Sequence, residues 1–163
     1  MNGLITTPAA APDPANAEVV ADGWFPPVKL AAVRDTLRIG EGVVTTPRLV
    51  AAIEGAMLHA FRELADWRAS HATAGVAQLA DVTAFQLNGR NMAVVLWERV
   101  VRYFAGAEIT GQHRDISATT PALDREQDQD GSADELRRLA LAAVADLRSI
   151  GGTPVPRNRV ELI

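Results

Sequence analysis

Between Thr45 and Ser70 the chain reads TTPRLVAAIEGAMLHAFRELADWRAS, and no other stretch limits the fold as strongly. Leu49, Ile53, Ala56, Met57, Ala60, Phe61 and Leu64 recur at spacings of three and four, so on a helix they form one stripe that must be buried. Thr45 or Thr46 can cap the exposed amides at the start, and Pro47 suits the first helical position, where its missing N–H costs nothing. From Pro47 to Ser70 such a rod spans roughly 36 Å at about 1.5 Å per residue. Burying its large stripe side chains contributes roughly 8–15 kcal/mol before entropy. The stretch is therefore a main scaffold element. Ala51, Ala52 and Gly55 fall on another face, which is either an approach surface for a second helix or subunit, or a solvent face rich in alanine.

Other helical patterns flank it. Trp24 and Phe25 are the first large apolar groups, and Pro26-Pro27 can open a helix, so a short helix is expected over Val28–Ile39. Its Ala31, Val33 and Leu37 face the core, Arg34, Asp35 and Arg38 are solvated, and Gly40 and Gly42 end it. The segment HATAGVAQLADVTAFQLNGRN connects to the next element, with Leu79, Val82, Phe85 and Leu87 able to pack on the core. In it Asn88-Gly89 can turn a hairpin, or Asn88 can stand just ahead of a helix. The run RNMAVVLWERVVRYFAGAEI is too long for a strand and places Met92, Val95, Leu96, Val100, Tyr103 and Phe104 at helical spacings. Apolar residues occupy most of its circumference, the mark of a central helix touching protein on more than one side.

Gln112–Gly131 reads as a solvated loop, with Arg114 and Arg125 against Asp115, Asp124, Glu126, Asp128 and Asp130. Its DREQDQDG segment lacks the alternating ligands, central glycine and terminal glutamate spacing of a calcium loop. Ser132 and Glu135 form a capping box, and Leu136, Leu139, Ala140, Ala143, Leu147 and Ile150 trace a last helix ended by Gly151-Gly152. The remaining TPVPRNRVELI cannot be helical through Pro154 and Pro156, and its alternation marks an extended tail.

The expected fold is mostly α, a small bundle of about four helices. A flexible N-terminal arm covers residues 1–22, the helical domain 23–150 and the extended tail 151–163. The arm holds too few large apolar groups to offset its ordering entropy. The expected core comprises Leu49, Ile53, Met57, Phe61, Leu64, Leu96, Val100, Phe104, Leu139 and Leu147. Arg157, Arg159, Val160, Leu162 and Ile163 form an expected partner-binding tail, since Arg157–Ile163 can add as a strand to a partner's sheet edge. The other reading of the tail is that it folds back onto its own helices.

Functional chemistry is sparse. A net charge of -4 lacks the basic excess of a phosphate-tracking protein, and the absence of cysteine removes disulfides and thiolate metal sites. No basic n-region precedes an apolar run at the start and no span of 18 apolar residues occurs, so neither export nor a membrane contact is expected. His59, His71 and His113 have no metal-ligand spacing, and Ser70, Ser117, Ser132 and Ser149 sit in no nucleophile elbow. Glu98 and Arg102 suit an exposed helical ion pair. No cofactor and no catalysis are expected.

In its order of segments the chain resembles the phage head completion protein (GPL) family of contractile-tailed bacteriophages. WFPPVKLAAVRDTLRI, TTPRLVAAIEGAMLHAFREL, AQLADV, WERVVRYF and DELRRLALAAVADLRSI follow one another from about Gly23 to an extended end. The resemblance implies a structural virion protein at the neck, assembled in the bacterial host cytoplasm. It would act as a head-tail connector adaptor that docks on the portal after DNA packaging and prepares the head for tail joining. Implied partners are the portal protein, neighbouring copies in a ring of twelve, and the next connector or tail-terminator component, with packaged DNA passing through the lumen without specific binding. The alternative is a helical, small-terminase-like DNA-packaging protein that binds DNA. Its basic recognition surface would have to come from Arg137, Arg138 and Arg148, which Asp134, Glu135 and Asp146 offset.

Overall fold

The computed structural model describes residues 12–40, 43–117 and 123–151, with residues 113–117 and 123–131 described by their helical backbone alone. The protein is mostly helical. Strands β1 (Glu18–Val19) and β2 (Val28–Lys29) lead into α1 (Leu30–Leu37) and α2 (Thr46–Thr73). A 3-10 turn at Leu79–Val82 and strands β3 (Gln86–Leu87) and β4 (Arg90–Asn91) precede α3 (Met92–Ser117) and α4 (Leu123–Arg148). Both strand pairs are antiparallel and two-stranded, with Val19 opposite Val28 and Gln86 opposite Asn91.

Helix α3 is the central element and packs between α2 and α4. It runs antiparallel to both. His59 stacks on Phe104 and Phe61 on Trp97 across α2 and α3, while Gly106 meets Leu136 across α3 and α4. The α2 stripe points into this contact: Leu49, Ile53, Met57, Ala60 and Leu64 are buried and Phe61 is half-buried. Of the other expected core residues, Val100, Phe104 and Leu147 are buried, whereas Leu96 and Leu139 are only partly covered. The largest fully buried side chain is Trp97, one position along from Leu96. Phe25 lies 4.3 Å from it at 23° and Phe61 5.9 Å away at 9°, and its indole N–H donates to the Pro26 carbonyl at 3.0 Å.

Several sequence expectations are corrected. Residues 12–22 belong to the folded body, because β1 pairs with β2, Val19 is buried, and the Ala17 carbonyl accepts the Leu30 N–H at 3.0 Å. Residues 1–11 of the expected arm lie outside the described residues. Pro26-Pro27 precede β2 and do not open α1, since Val28 and Lys29 use their backbone in the strand pair. Within α1, Ala31 is exposed and Arg34 buried, the reverse of their sequence reading.

The Asn88-Gly89 alternatives resolve in favour of the turn. Asn88 (φ 53) and Gly89 (φ 71) both adopt the left-handed conformation that a two-residue hairpin requires. Asn91 then starts the helix, its Oδ1 accepting the Ala93 and Val94 N–H groups at 3.0 and 3.3 Å. Gln112–Gly131 is mostly helical backbone instead of a loop, because α3 continues to Ser117 and α4 begins at Leu123. Ser132 lies inside α4 and does not cap it, as the residues before it are already helical. At the start of α2, Thr45 holds the cap position by backbone alone, while the Thr46 hydroxyl turns to Asp13.

Candidate interaction surface

Among the described residues the side chains assemble into joints and surface features, and no group of three or more His, Asp or Glu is placed to hold a metal ion. His59 is exposed and stacked on Phe104, and His71 meets the edge of Trp67 at 4.6 Å. The Ser70 hydroxyl donates to the Trp67 carbonyl within α2, and the Ser149 hydroxyl, just past the end of α4, donates to the Ala145 carbonyl. His113 and Ser117 are described by backbone only. No described helix is long and apolar enough to cross a membrane.

The strongest polar joint lies at the N-terminal end. The Arg34 guanidinium donates to both carboxylate oxygens of Asp13, at 2.6 and 3.0 Å, and to the Val44 carbonyl at 2.9 Å. The Asp13 carboxylate also accepts the Thr46 hydroxyl, so one ion pair ties the leading segment, α1, the following loop and α2 together. Its side chains keep only 7% and 10% of their exposure. Hydrogen bonding from Arg34 holds the Asp13 pKa below the ordinary carboxylate range, against the opposing effect of burial.

A second polar feature is Glu98, which pairs with Arg90 of the hairpin and, at 3.8 Å, with Arg102 one turn along α3. The sequence reading saw only the second pairing and placed it in solvent. In the fold these groups line a crevice of about 470 Å³ together with Lys29 and Glu18 of the first strand pair. A third is Glu108, whose carboxylate rests against the open face of Gly55. Burial raises its pKa, and the charge of His59 works in the opposite direction. That contact answers the question raised by the Ala51, Ala52 and Gly55 face: Gly55 receives α3 of the same chain, Ala52 is buried and Ala51 is exposed.

The surface best suited to a macromolecular contact surrounds the β3–β4 hairpin. Of the four residues able to pack on the core, Leu79 is buried and Val82 half-buried, but Phe85 and Leu87 stand 72% and 60% exposed. Asn91 explains the outward aim of the hairpin. Its amide donates to the Ala80 and Thr83 carbonyls at 2.8 Å each, so the turn and hairpin are clipped to each other and the strand residues are left outside. Beside Phe85 runs a groove of about 560 Å³ whose walls include Val82, Met92, Asp146 and Ile150. A second groove, of about 590 Å³, lies toward the other end of α3 between Leu37, Val43, Tyr103 and Leu136.

Two basic residues of α4 are committed locally. Arg137 pairs with Asp134 at 2.8 Å and Arg138 with Glu135 at 2.6 Å, while Arg148 is exposed. The expected tail residues Arg157, Arg159, Val160, Leu162 and Ile163 lie outside the described residues. What could have been found in the sequence is the hairpin: Asn-Gly between short apolar runs is a strong local signal, whereas the exposure of Phe85 depends on distant packing.

The described residues thus form a four-helix body with two short strand pairs, ion-paired joints and exposed apolar edges. The chain belongs to the phage head completion protein (GPL) family, whose sequence model matches residues 19–163. It is 32% identical over 139 residues to the head completion/stabilization protein of Escherichia phage P2, covering 84% of this chain and 82% of that relative. No solved structure matches the chain. The chain is accordingly a structural phage protein of head completion and a component of the virion.

Proposed function

We propose that the protein is the adaptor that docks on the portal once the genome is packaged and readies the filled head for tail joining. The observation that carries this reading is the relation to the P2 head completion/stabilization protein along nearly the whole chain. The long antiparallel helices fit the role, because they make a stiff wedge that can repeat around an axis. Neighbouring copies, twelve to match a dodecameric portal, form a ring through which DNA passes without specific binding. A net charge of -4 suits such a lumen, since like charge lowers affinity for phosphate. The C-terminal segment carries the contact to an adjacent copy or to the next connector or tail-terminator component. The role requires no catalysis, and assembly takes place in the host cytoplasm.

A cryo-EM map of the mature particle tests the proposal. The expected result is density for this fold at the neck, against the portal face that points to the tail. Density confined to the packaging motor, or none at the neck, would overturn it. A salt-sensitive mobility shift on short duplex DNA would favour the DNA-packaging alternative, which the local pairing of Arg137 and Arg138 disfavours.

A further inference from the structure

We propose that the outer face of α2 pairs two copies of this chain about a two-fold axis through Leu58. At about 100° per residue, Leu58 points away from Leu49, Ala56 and Ala60, which are buried. It stands 62% exposed on the side of α2 opposite the core. A lone exposed leucine is ordinary on a protein surface. The residues around this one point to a second copy.

Glu54 lies four residues before Leu58 and Arg62 four residues after it, and both are exposed. Neither forms an ion pair with another described residue. Along α2 they are about 12 Å apart, twice the spacing at which helix neighbours pair. Ala51 and Ala65, seven residues to either side of Leu58, are also exposed. A half-turn about an axis through Leu58 reverses the helix, exchanging Glu54 with Arg62 and Ala51 with Ala65. Each Glu54 carboxylate then meets the other copy's Arg62 guanidinium, and the two Leu58 side chains meet each other. The face is its own complement in charge, as an isologous contact requires. A parallel pairing in register would instead set like charges together.

Glu54, Leu58 and Arg62 form one ridge of residues four apart. Interdigitating such ridges from two helices gives a crossing angle of about −50° and axes about 8–10 Å apart, and small flanks such as Ala51 and Ala65 suit the close end of that range. A single helix crossing buries less than the roughly 1,200 Å² of stable specific complexes, so the pair is weak and forms as concentration rises. It closes after two copies. The contact is therefore distinct from the repeating contact of a ring and does not rest on the function proposed above.

Charge exchange tests the pairing in the full chain by sedimentation velocity over a concentration series, with circular dichroism to show that each variant is folded. The unaltered protein is expected to associate as concentration rises. Glu54→Arg and Arg62→Glu each set like charges together at both ends of the contact, and each is expected to weaken association about tenfold. An equimolar mixture of the two variants restores both attractive pairs, so it is expected to associate as well as the unaltered chain. An unaltered chain that stays monomeric, single variants that associate normally, or a mixture no better than its components overturns the proposal. Because the chain has no cysteine, Leu58→Cys gives a second readout. With axes about 9 Å apart and a Cα radius of about 2.3 Å, the two Cα atoms at the axis lie about 4–5 Å apart, within disulfide range. Oxidation is expected to give a disulfide-linked dimer. A thiol that stays unlinked, or one that a thiol reagent cannot reach in dilute monomer because the chain's own residues cover it, overturns the assignment.

Discussion

Replacing Arg34 by methionine removes the centre of the N-terminal joint while retaining most of the buried volume. In the folded protein the guanidinium answers both Asp13 oxygens and the Val44 carbonyl, and the pair retains about a tenth of its exposure or less. Breaking a buried pair by removing one partner typically costs about 3–5 kcal/mol, because the remaining charge stays desolvated. The lower end, about 3 kcal/mol, applies here, since the carboxylate keeps the Thr46 hydroxyl and some water access. For a chain of this length that lowers Tm by roughly 6–12 °C.

Urea unfolding followed by far-UV circular dichroism at pH 7 measures the loss. Combining Arg34→Met with Asp13→Asn should recover part of it, because replacing both partners removes the stranded charge. The pH dependence carries a sign. The folded pKa of Asp13 is depressed, so the stability it contributes is full above the ordinary carboxylate value and fades as pH falls through the lower folded value. Arg34→Met should flatten that acid limb. A loss under about 1 kcal/mol, with the acid limb unchanged, would refute the claim that this joint is desolvated.

Three further outcomes follow from the packing. Asn91→Ala removes a helix cap and two bonds to the Ala80 and Thr83 carbonyls, so it should cost about 2–3 kcal/mol and speed amide exchange in the hairpin; an unchanged urea midpoint would count against the clip. Phe61→Ala should cost about 2–3 kcal/mol, less than truncation of a fully buried ring, because Phe61 stacks on Phe25 and Trp97 but remains half-exposed; calorimetry showing no loss would contradict the stack. Gly55→Ala places its new methyl against the flexible end of Glu108, which can swing to water, and helix propensity then favours the variant by up to about 1 kcal/mol. A clear destabilisation of that variant would mean that the Glu108 carboxylate is held in place.

The helices were legible where one face alternates with another over many turns. The α2 stripe is the clearest case, since its spacing leaves one rotation about the helix axis that buries Leu49 through Leu64. In α3 the apolar residues surround the axis, so periodicity could not choose between Leu96 and its neighbour Trp97; the stack with Phe25, 72 positions earlier in the chain, decides it. Arg34 sits at a position that looks solvated from its own helix, and its burial depends on Asp13 in a segment with little helical or strand signal. A strand pair of two residues on each side is too short to announce itself, so the attachment of residues 12–22 was hidden. Ser132 and Glu135 fit a capping motif locally, yet that motif is equally compatible with the interior of a longer helix. The hairpin of the candidate surface was half-legible, through Asn88-Gly89, but the outward aim of Phe85 follows from the side-chain bonds of Asn91 to two distant carbonyls.

The aromatic stack also determines what an optical experiment on this protein can see. Its three tryptophans occupy one neighbourhood: Trp97 lies on Phe25, Phe25 meets the edge of Trp24, and Trp24 meets the edge of Trp67. Intrinsic emission therefore reports one half of the molecule, where the leading segment crosses α2 and the first turns of α3. Fraying at the opposite end, where Ile109 of α3 and Ala133 of α4 lie, would leave the emission spectrum unchanged, and a single sharp fluorescence transition would not establish that the whole bundle unfolds at once.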